Sequence, residues 1–242
     1  MKLNLSYFAN PAHFEKLAKF LMPVLVVAST LLLAYGLCDA LLLSPPDYQQ
    51  GEAVRIMYLH VPSAWLSMAI YAACGVAAIV LIVWKHTLAE LFLRAALPAG
   101  AAATALCLLT GMLWGKPMWG TWWVWDARLT SMLILMFIYI GTIALTDAFD
   151  RPEQGGTAAA WLTIIGLINL PIIKYSVTWW STLHQPSSFG GANSIIKPAI
   201  SGDMLRPLLV MSLGLTCYVA IIIITRLRAE IIARRLLASG AK

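Results

Sequence analysis

The sequence predicts an all-α, polytopic membrane protein: six transmembrane helices, with outer loops gathered into one binding face. Three observations carry that expectation. The chain of 242 residues is 60% hydrophobic and only 12% charged, with a mean hydropathy of +0.79. A soluble globular chain is about a quarter charged. Six apolar runs, separated by short polar segments, approach the ~20 residues needed to cross a bilayer. Finally, the 17 Lys and Arg fall unequally on alternate segments. A single integral membrane domain over residues 1–242 is expected, with membrane lipid as its surroundings. The net charge of +6 then reads as a topology signal, and no nucleic-acid partner is expected.

Residues 1–19 are polar and basic, with Lys2, Lys16 and Lys19. Span 1 is expected over about 20–43. It is too long for a signal peptide and lacks a small-residue cleavage site, so it reads as a retained span. Ser44-Pro45-Pro46-Asp47 breaks it. In the first outer loop, 47–60, the apolar residues Val54, Met57, Tyr58 and Val61 recur at i, i+3, i+4 and i+7. That spacing predicts a short amphipathic helix leading into span 2, about 61–84. Lys85, His86, Glu90 and Arg94 mark a loop on the opposite side. Span 3, about 95–113, opens on AALPAGAAATA, whose small residues let helices approach closely.

A tryptophan-rich loop is expected over 114–131, then span 4 over about 129–146. Asp147, Asp150, Arg151 and Glu153 punctuate a turn with Gly155-Gly156. Span 5 is expected over about 158–173, ended or kinked at Pro171. The longest loop, about 174–204, carries Trp179, Trp180 and His184. Its Gly190, Gly191 and Pro198 argue for irregular backbone. Span 6 covers about 205–225, and Arg226, Arg228, Arg234 and Arg235 follow. Eleven of the 17 basic residues share the side of both termini, against six on the other. The basic excess places both termini in the cytoplasm. The Trp loop, His60 and His184 then share the outer, periplasm-like face.

The chemistry concentrates in WGKPMWGTWWVWDARLTS, from Trp114 to Ser131, where five of the ten tryptophans converge. One reading is an interfacial aromatic belt. The other is a platform for a flat apolar ligand, whose acidic edges the indole N–H groups can meet. The four cysteines lie far apart without a C-x-x-C pair, so they read as small buried hydrophobes. There is no C-x-x-C-H either, so a c-type haem attachment is not expected. No nucleophile–base pair, carboxylate pair or phosphate-binding loop appears, so ATP hydrolysis in the P-loop manner is not expected of this chain, and any catalytic part is at most one of positioning. His13 and His86 sit amid charges and read as surface residues. His60 and His184 flank the aromatic platform, and imidazole is a common metal and haem ligand.

The same loop resembles the "WWD" signature of the haem-handling membrane proteins of cytochrome c maturation, and within them the maturation protein C family. DYQQG from Asp47, YLHVP from Tyr58, NLPIIKYSV from Asn169 and WWSTLHQ from Trp179 also resemble that family, in order. The resemblance reaches from about residue 45 to the last span; the ends of the chain carry no matching motif. It implies that His60 and His184 are the axial ligands of a haem iron, haem b bound in transit. Trp119, Trp122, Trp123 and Trp125 would stack on the ring, and Arg55 and Arg128 are candidates for the propionates. Two readings of Arg128 stay open, propionate contact or pairing with Asp126. Asp126 is expected to orient the loop, because a carboxylate facing propionates repels them. Trp179 and Trp180 are a second wall or belt residues.

The implied role is to hold haem at the periplasmic face of a bacterial inner membrane. From there it helps load a membrane-anchored haem chaperone, the maturation protein E. Three further partners are implied, as in an ABC-type haem export or release complex. They are an ATPase (maturation protein A), a membrane component (maturation protein B) and a small protein (maturation protein D). Three rivals remain: a haem permease through the bundle, a b-type electron-transfer cytochrome, and a structural anchor without cofactor.

Overall fold

A chain crosses lipid as helix because helix satisfies every backbone polar group within the segment. The computed structural model describes residues 10–180, 182–184 and 200–239, and helices make up nearly all of it. They are α1 (Pro11–Cys38), α2 (Met57–Trp84), α3 (Thr87–Trp119), α4 (Ala127–Asp147), α5 (Pro152–Gly166), α6 (Asn169–Trp179) and α7 (Gly202–Ala238). A π-helical turn, Asp39–Leu43, extends α1, and a 3-10 turn, Glu52–Ile56, leads directly into α2. Six stretches are long and apolar enough to cross a membrane, with α5 and α6 together forming the fifth. The protein is thus an all-α, multi-pass membrane protein, as the sequence predicts.

The helices overrun the apolar runs at several ends. Hydropathy marks the lipid-matched length, whereas a helix stops where its capping residues stop it. α1 begins at Pro11, behind the Asn10 cap, whose side chain accepts from the Ala12 amide at 2.9 Å. α3 continues through Trp114 to Trp119 and ends at Gly120, whose φ of +75° only glycine adopts without strain. Asp126 then caps α4. The aperiodic Trp loop is therefore only 120–126, not 114–131.

The fifth span is broken where the sequence expects continuity. A proline ring excludes the carbonyl four residues back. Four residues before Pro171 lies Leu167, and the helix breaks there, at residues 167–168, resuming as α6 up to Trp179. Gly190, Gly191, Pro198, Lys197, Lys2 and Lys242 lie outside the described residues.

α2 and α3 form a hairpin at the centre. α4, α5 and α6 pack on one flank, α7 on the other, and α1 lies outermost against α7. The deep core includes Tyr71 and Tyr139, edge-to-face at 5.0 Å. Their hydroxyls donate to the Thr163 and Ser67 carbonyls at 3.1 and 2.8 Å. The two ends of the bundle are tied by different groups. At one end Arg94 meets Asp147 at 2.9 Å, Arg234 meets Glu90 and Glu153 at 2.7 and 2.8 Å, and Arg228 meets Glu15 at 3.2 Å. These pairs gather the start of α1, the α2–α3 and α4–α5 turns and the end of α7 on one side. At the other end Arg206 grips the fully buried Asp39 with two hydrogen bonds, 2.7 and 2.8 Å, joining α1 to α7.

Candidate functional site

At this second end α2, α3, α4 and α6 part around a cavity of about 320 Å³. Helical periodicity builds its walls. Met57, His60, Val61, Ala64, Trp65 and Met68 recur at three- and four-residue steps, so they share one face of α2. Cys107, Gly111, Trp114, Met118 and Trp119 do the same on α3. Arg128 and Met132 come from α4, Lys174 from α6, and Trp123 and His184 from the segments beyond. The lining is mainly apolar and aromatic with five methionine thioethers, a soft surface that adapts to a ligand's shape.

His60 sits in the first turn of α2, not in a loop before it. Its Nδ1 lies 3.0 Å from the Cys107 carbonyl and 3.1 Å from the Thr110 hydroxyl. A proton on Nδ1 satisfies that carbonyl and leaves Nε2 as the lone-pair nitrogen, the arrangement usual for a metal-binding histidine. Gly111 makes room for the ring: a Cβ there would come within 3.0 Å of His60 Cε1. Trp114 meets the same imidazole edge-on at 5.6 Å and donates its indole N–H to Gln50 at 2.9 Å.

His184 faces His60 with ring centres 6.5 Å apart and planes at 41°. With metal–nitrogen bonds of about 2 Å and about 1 Å from nitrogen to ring centre, two imidazoles sharing one metal stand about 6 Å apart. The ring-centre separation of the pair is close to that spacing. Trp119 lies 5.3 Å from His184.

Asp126 works on two elements at once. One carboxylate oxygen caps α4 at the Leu129 amide, 2.7 Å, and the other accepts from the Thr182 hydroxyl. Thr182 in turn accepts from the His184 main-chain N–H at 3.1 Å. Burial by itself raises the Asp126 carboxyl, but His184, the Leu129 amide and Thr182 outweigh it and bring it down to about 2. It is a carboxylate throughout the physiological range. Among the described residues Asp126 forms no ion pair with Arg128. Arg128 instead reaches the Ser176 hydroxyl and the Lys174 carbonyl, both at a long 3.4 Å.

The cavity wall thus holds two cations, Arg128 and Lys174, and no carboxylate among the described residues. Two buried polar atoms in the wall have no hydrogen-bond partner among them, Trp123 Nε1 and His184 Nδ1. An aromatic, thioether-lined cleft with paired imidazoles, spare N–H donors and positive charge fits a flat apolar ring carrying a metal and carboxylates.

The other candidates fall elsewhere. Arg55 pairs with Glu52, donates to the Ala40 carbonyl at 2.7 Å and does not line the cavity. Of the four ring-stacking candidates, Trp119 and Trp123 line the cavity. Trp122 and Trp125 do not, and are 50% and 76% exposed. Trp122 carries Lys116 over its ring at 5.8 Å, and Trp125 packs edge-on against Trp123 at 5.5 Å. Trp179 and Trp180 are exposed and do not line the cavity. His13 and His86 are remote from it. Sequence reasoning passed over Trp65, Lys174, Gly111 and Thr182. The i+4 steps from His60 to Ala64 and from Val61 to Trp65 could have revealed the first; no local pattern marks the others.

The family described as "Heme exporter protein C" matches residues 4–242 of the chain. Curated relatives of the same description include one from Bradyrhizobium diazoefficiens, 49% identical over 94% of this chain and 85% of the relative. That of Escherichia coli K12 is 50% identical over 76% of this chain and 75% of its own length. That of Haemophilus influenzae is 44% identical over 93% and 90%.

Proposed function

Because the chain belongs to the haem exporter protein C family, we propose that it binds haem in transit and presents it for the assembly of c-type cytochromes. The haem lies in the outer cavity, with His60 and His184 on opposite faces of its iron. Trp119 and Trp123 wall the ring, and Arg128 and Lys174 attract the propionates. The observation that carries this reading is the 6.5 Å spacing of the two imidazoles across one cavity. At about 320 Å³ the cavity is near the low end of pockets that enclose drug-sized ligands. Haem is larger than most of those, so one edge of the ring stays outside.

That open edge is what a haem chaperone needs. The acceptor is the membrane-anchored maturation protein E, and the task of this chain is positioning: both iron faces and one edge are held while another edge stays free. The chain works beside the ATPase, the membrane component and the small protein of the complex (maturation proteins A, B and D), since its sequence carries no P-loop motif. It sits in the inner membrane with both termini cytoplasmic and the cavity periplasmic. Passage of haem through this chain is disfavoured, because the buried Tyr71–Tyr139 pair fills the core just beneath Met68 and Met132.

The test is haem per protein in His60→Gly and His184→Gly, purified with and without the chaperone. Both variants should carry less haem and load less chaperone, and added imidazole should partly restore both. His13→Gly and His86→Gly should match the parent. Full haem content in both outer-histidine variants would remove the proposed site.

A further inference from the structure

The structure assigns unequal parts to the two histidines: His60 is the fixed ligand and His184 the one that lets go, with Thr182 and Asp126 setting how firmly His184 holds. This rests on the haem reading above.

His60 is fixed three times over. It belongs to a central transmembrane helix, its Nδ1 lies within hydrogen-bond reach of the Cys107 carbonyl and the Thr110 hydroxyl, and its ring packs closely on Gly111, where an added Cβ would stand 3.0 Å from Cε1. The Thr110 hydroxyl is itself anchored on the Leu106 carbonyl at 2.6 Å. Displacing His60 means disturbing the packing of α2 on α3.

His184 has none of these supports. It lies outside any helix, and its Nδ1 is buried without a hydrogen-bond partner among the described residues. Asp126 Oδ2 stands 3.8 Å from that nitrogen, beyond hydrogen-bond range. A histidine whose second nitrogen bonds a carboxylate is a more basic and better oriented metal ligand. His184 has that carboxylate beside it but not in contact. Among the described residues it is held by the Trp119 ring, 5.3 Å away, and by one relay: the His184 amide to the Thr182 hydroxyl, and that hydroxyl to Asp126. Asp126 is fixed in turn by capping α4. Thr182 is thus a positioning residue for His184, and Asp126 is the group that tightens or frees it. Release from the His184 face leaves haem on a rigid ligand while the other face opens to an acceptor.

The experiment uses the full-length, haem-loaded protein, reduced and mixed with carbon monoxide, which must displace one histidine to bind. Thr182→Val, close to isosteric, should take up carbon monoxide on the order of tenfold faster than the parent and show a five-coordinate fraction in its ferric spectrum. Thr182→Ser should return both to parental values. Asp126→Asn keeps the helix cap and should fall between. His184→Gly should retain five-coordinate haem through gel filtration, and His60→Gly should retain several-fold less. Equal retention, the reverse order, or parental carbon monoxide kinetics in Thr182→Val would overturn the inference while leaving a two-histidine site intact. A parent without a two-histidine spectrum would bring down the haem reading and this inference together.

Discussion

The two arginines that the sequence offers for the propionates separate on their surroundings. Arg55 is occupied: it bonds Glu52 and the Ala40 carbonyl, and so ties the start of α2 to the end of α1. Among the described residues, Arg128 lines the cavity with only long contacts to Ser176 and Lys174. A hydrogen bond from a charged donor is worth about 1.5–3 kcal/mol. Arg128→Gln should therefore weaken haem binding about tenfold or more with little change in thermal stability. Arg55→Gln should lower stability by about 1–3 kcal/mol and leave haem affinity near the parent's. Haem titration and thermal unfolding of both variants check the pair, and loss of affinity in Arg55→Gln alone would reverse the assignment. The type of residue was legible in the sequence; which arginine is free was not, because it depends on α1 meeting the 3-10 turn across fifteen residues.

At the scale of elements, the membrane spans were legible because apolar length alone decides them. The helix ends were not. Trp114 to Trp119 read as loop, since the apolar run ends just before them and indoles cluster there, yet α3 runs on until Gly120 stops it. That extension divides the tryptophans by role. Trp119 and Trp123 turn to the cavity, whereas Trp122 and Trp125 face outward. An aromatic contact contributes about 1 kcal/mol beyond burial, or roughly fivefold in affinity. Trp119→Ala and Trp123→Ala should each weaken haem binding by about that factor or more. Trp122→Ala and Trp125→Ala should leave haem per protein unchanged, with any deficit confined to chaperone loading. A uniform loss across all four would return Trp122 and Trp125 to the ring, and full haem in all four variants would mean that the loop serves as a belt. The break at Leu167–Ile168 was half legible: Pro171 signalled it, but the ring acts on the carbonyl four residues earlier.

For the whole molecule, the count of basic residues and the tertiary contacts divide the chain the same way. The ion pairs of Arg94, Arg228 and Arg234 join the segments that charge counting puts together. His60, Asp126, Thr182 and His184 meet at the opposite end. Their convergence could not be read from composition, because it joins positions over a hundred residues apart. Cysteines introduced at Lys85 or Asp150, in a background without native cysteines, should resist a membrane-impermeant reagent in intact cells, and one at Thr121 should react. The opposite pattern would invert the orientation and put the cavity on the cytoplasmic side. The central claim, two histidines on one iron, is tested most directly by pulsed electron paramagnetic resonance of the ferric, haem-loaded protein labelled with ¹⁵N-histidine. The account predicts a low-spin signal coupled to two histidine nitrogens in the parent, and a high-spin signal coupled to one in His184→Gly. A parental signal coupled to one histidine nitrogen or none would contradict it.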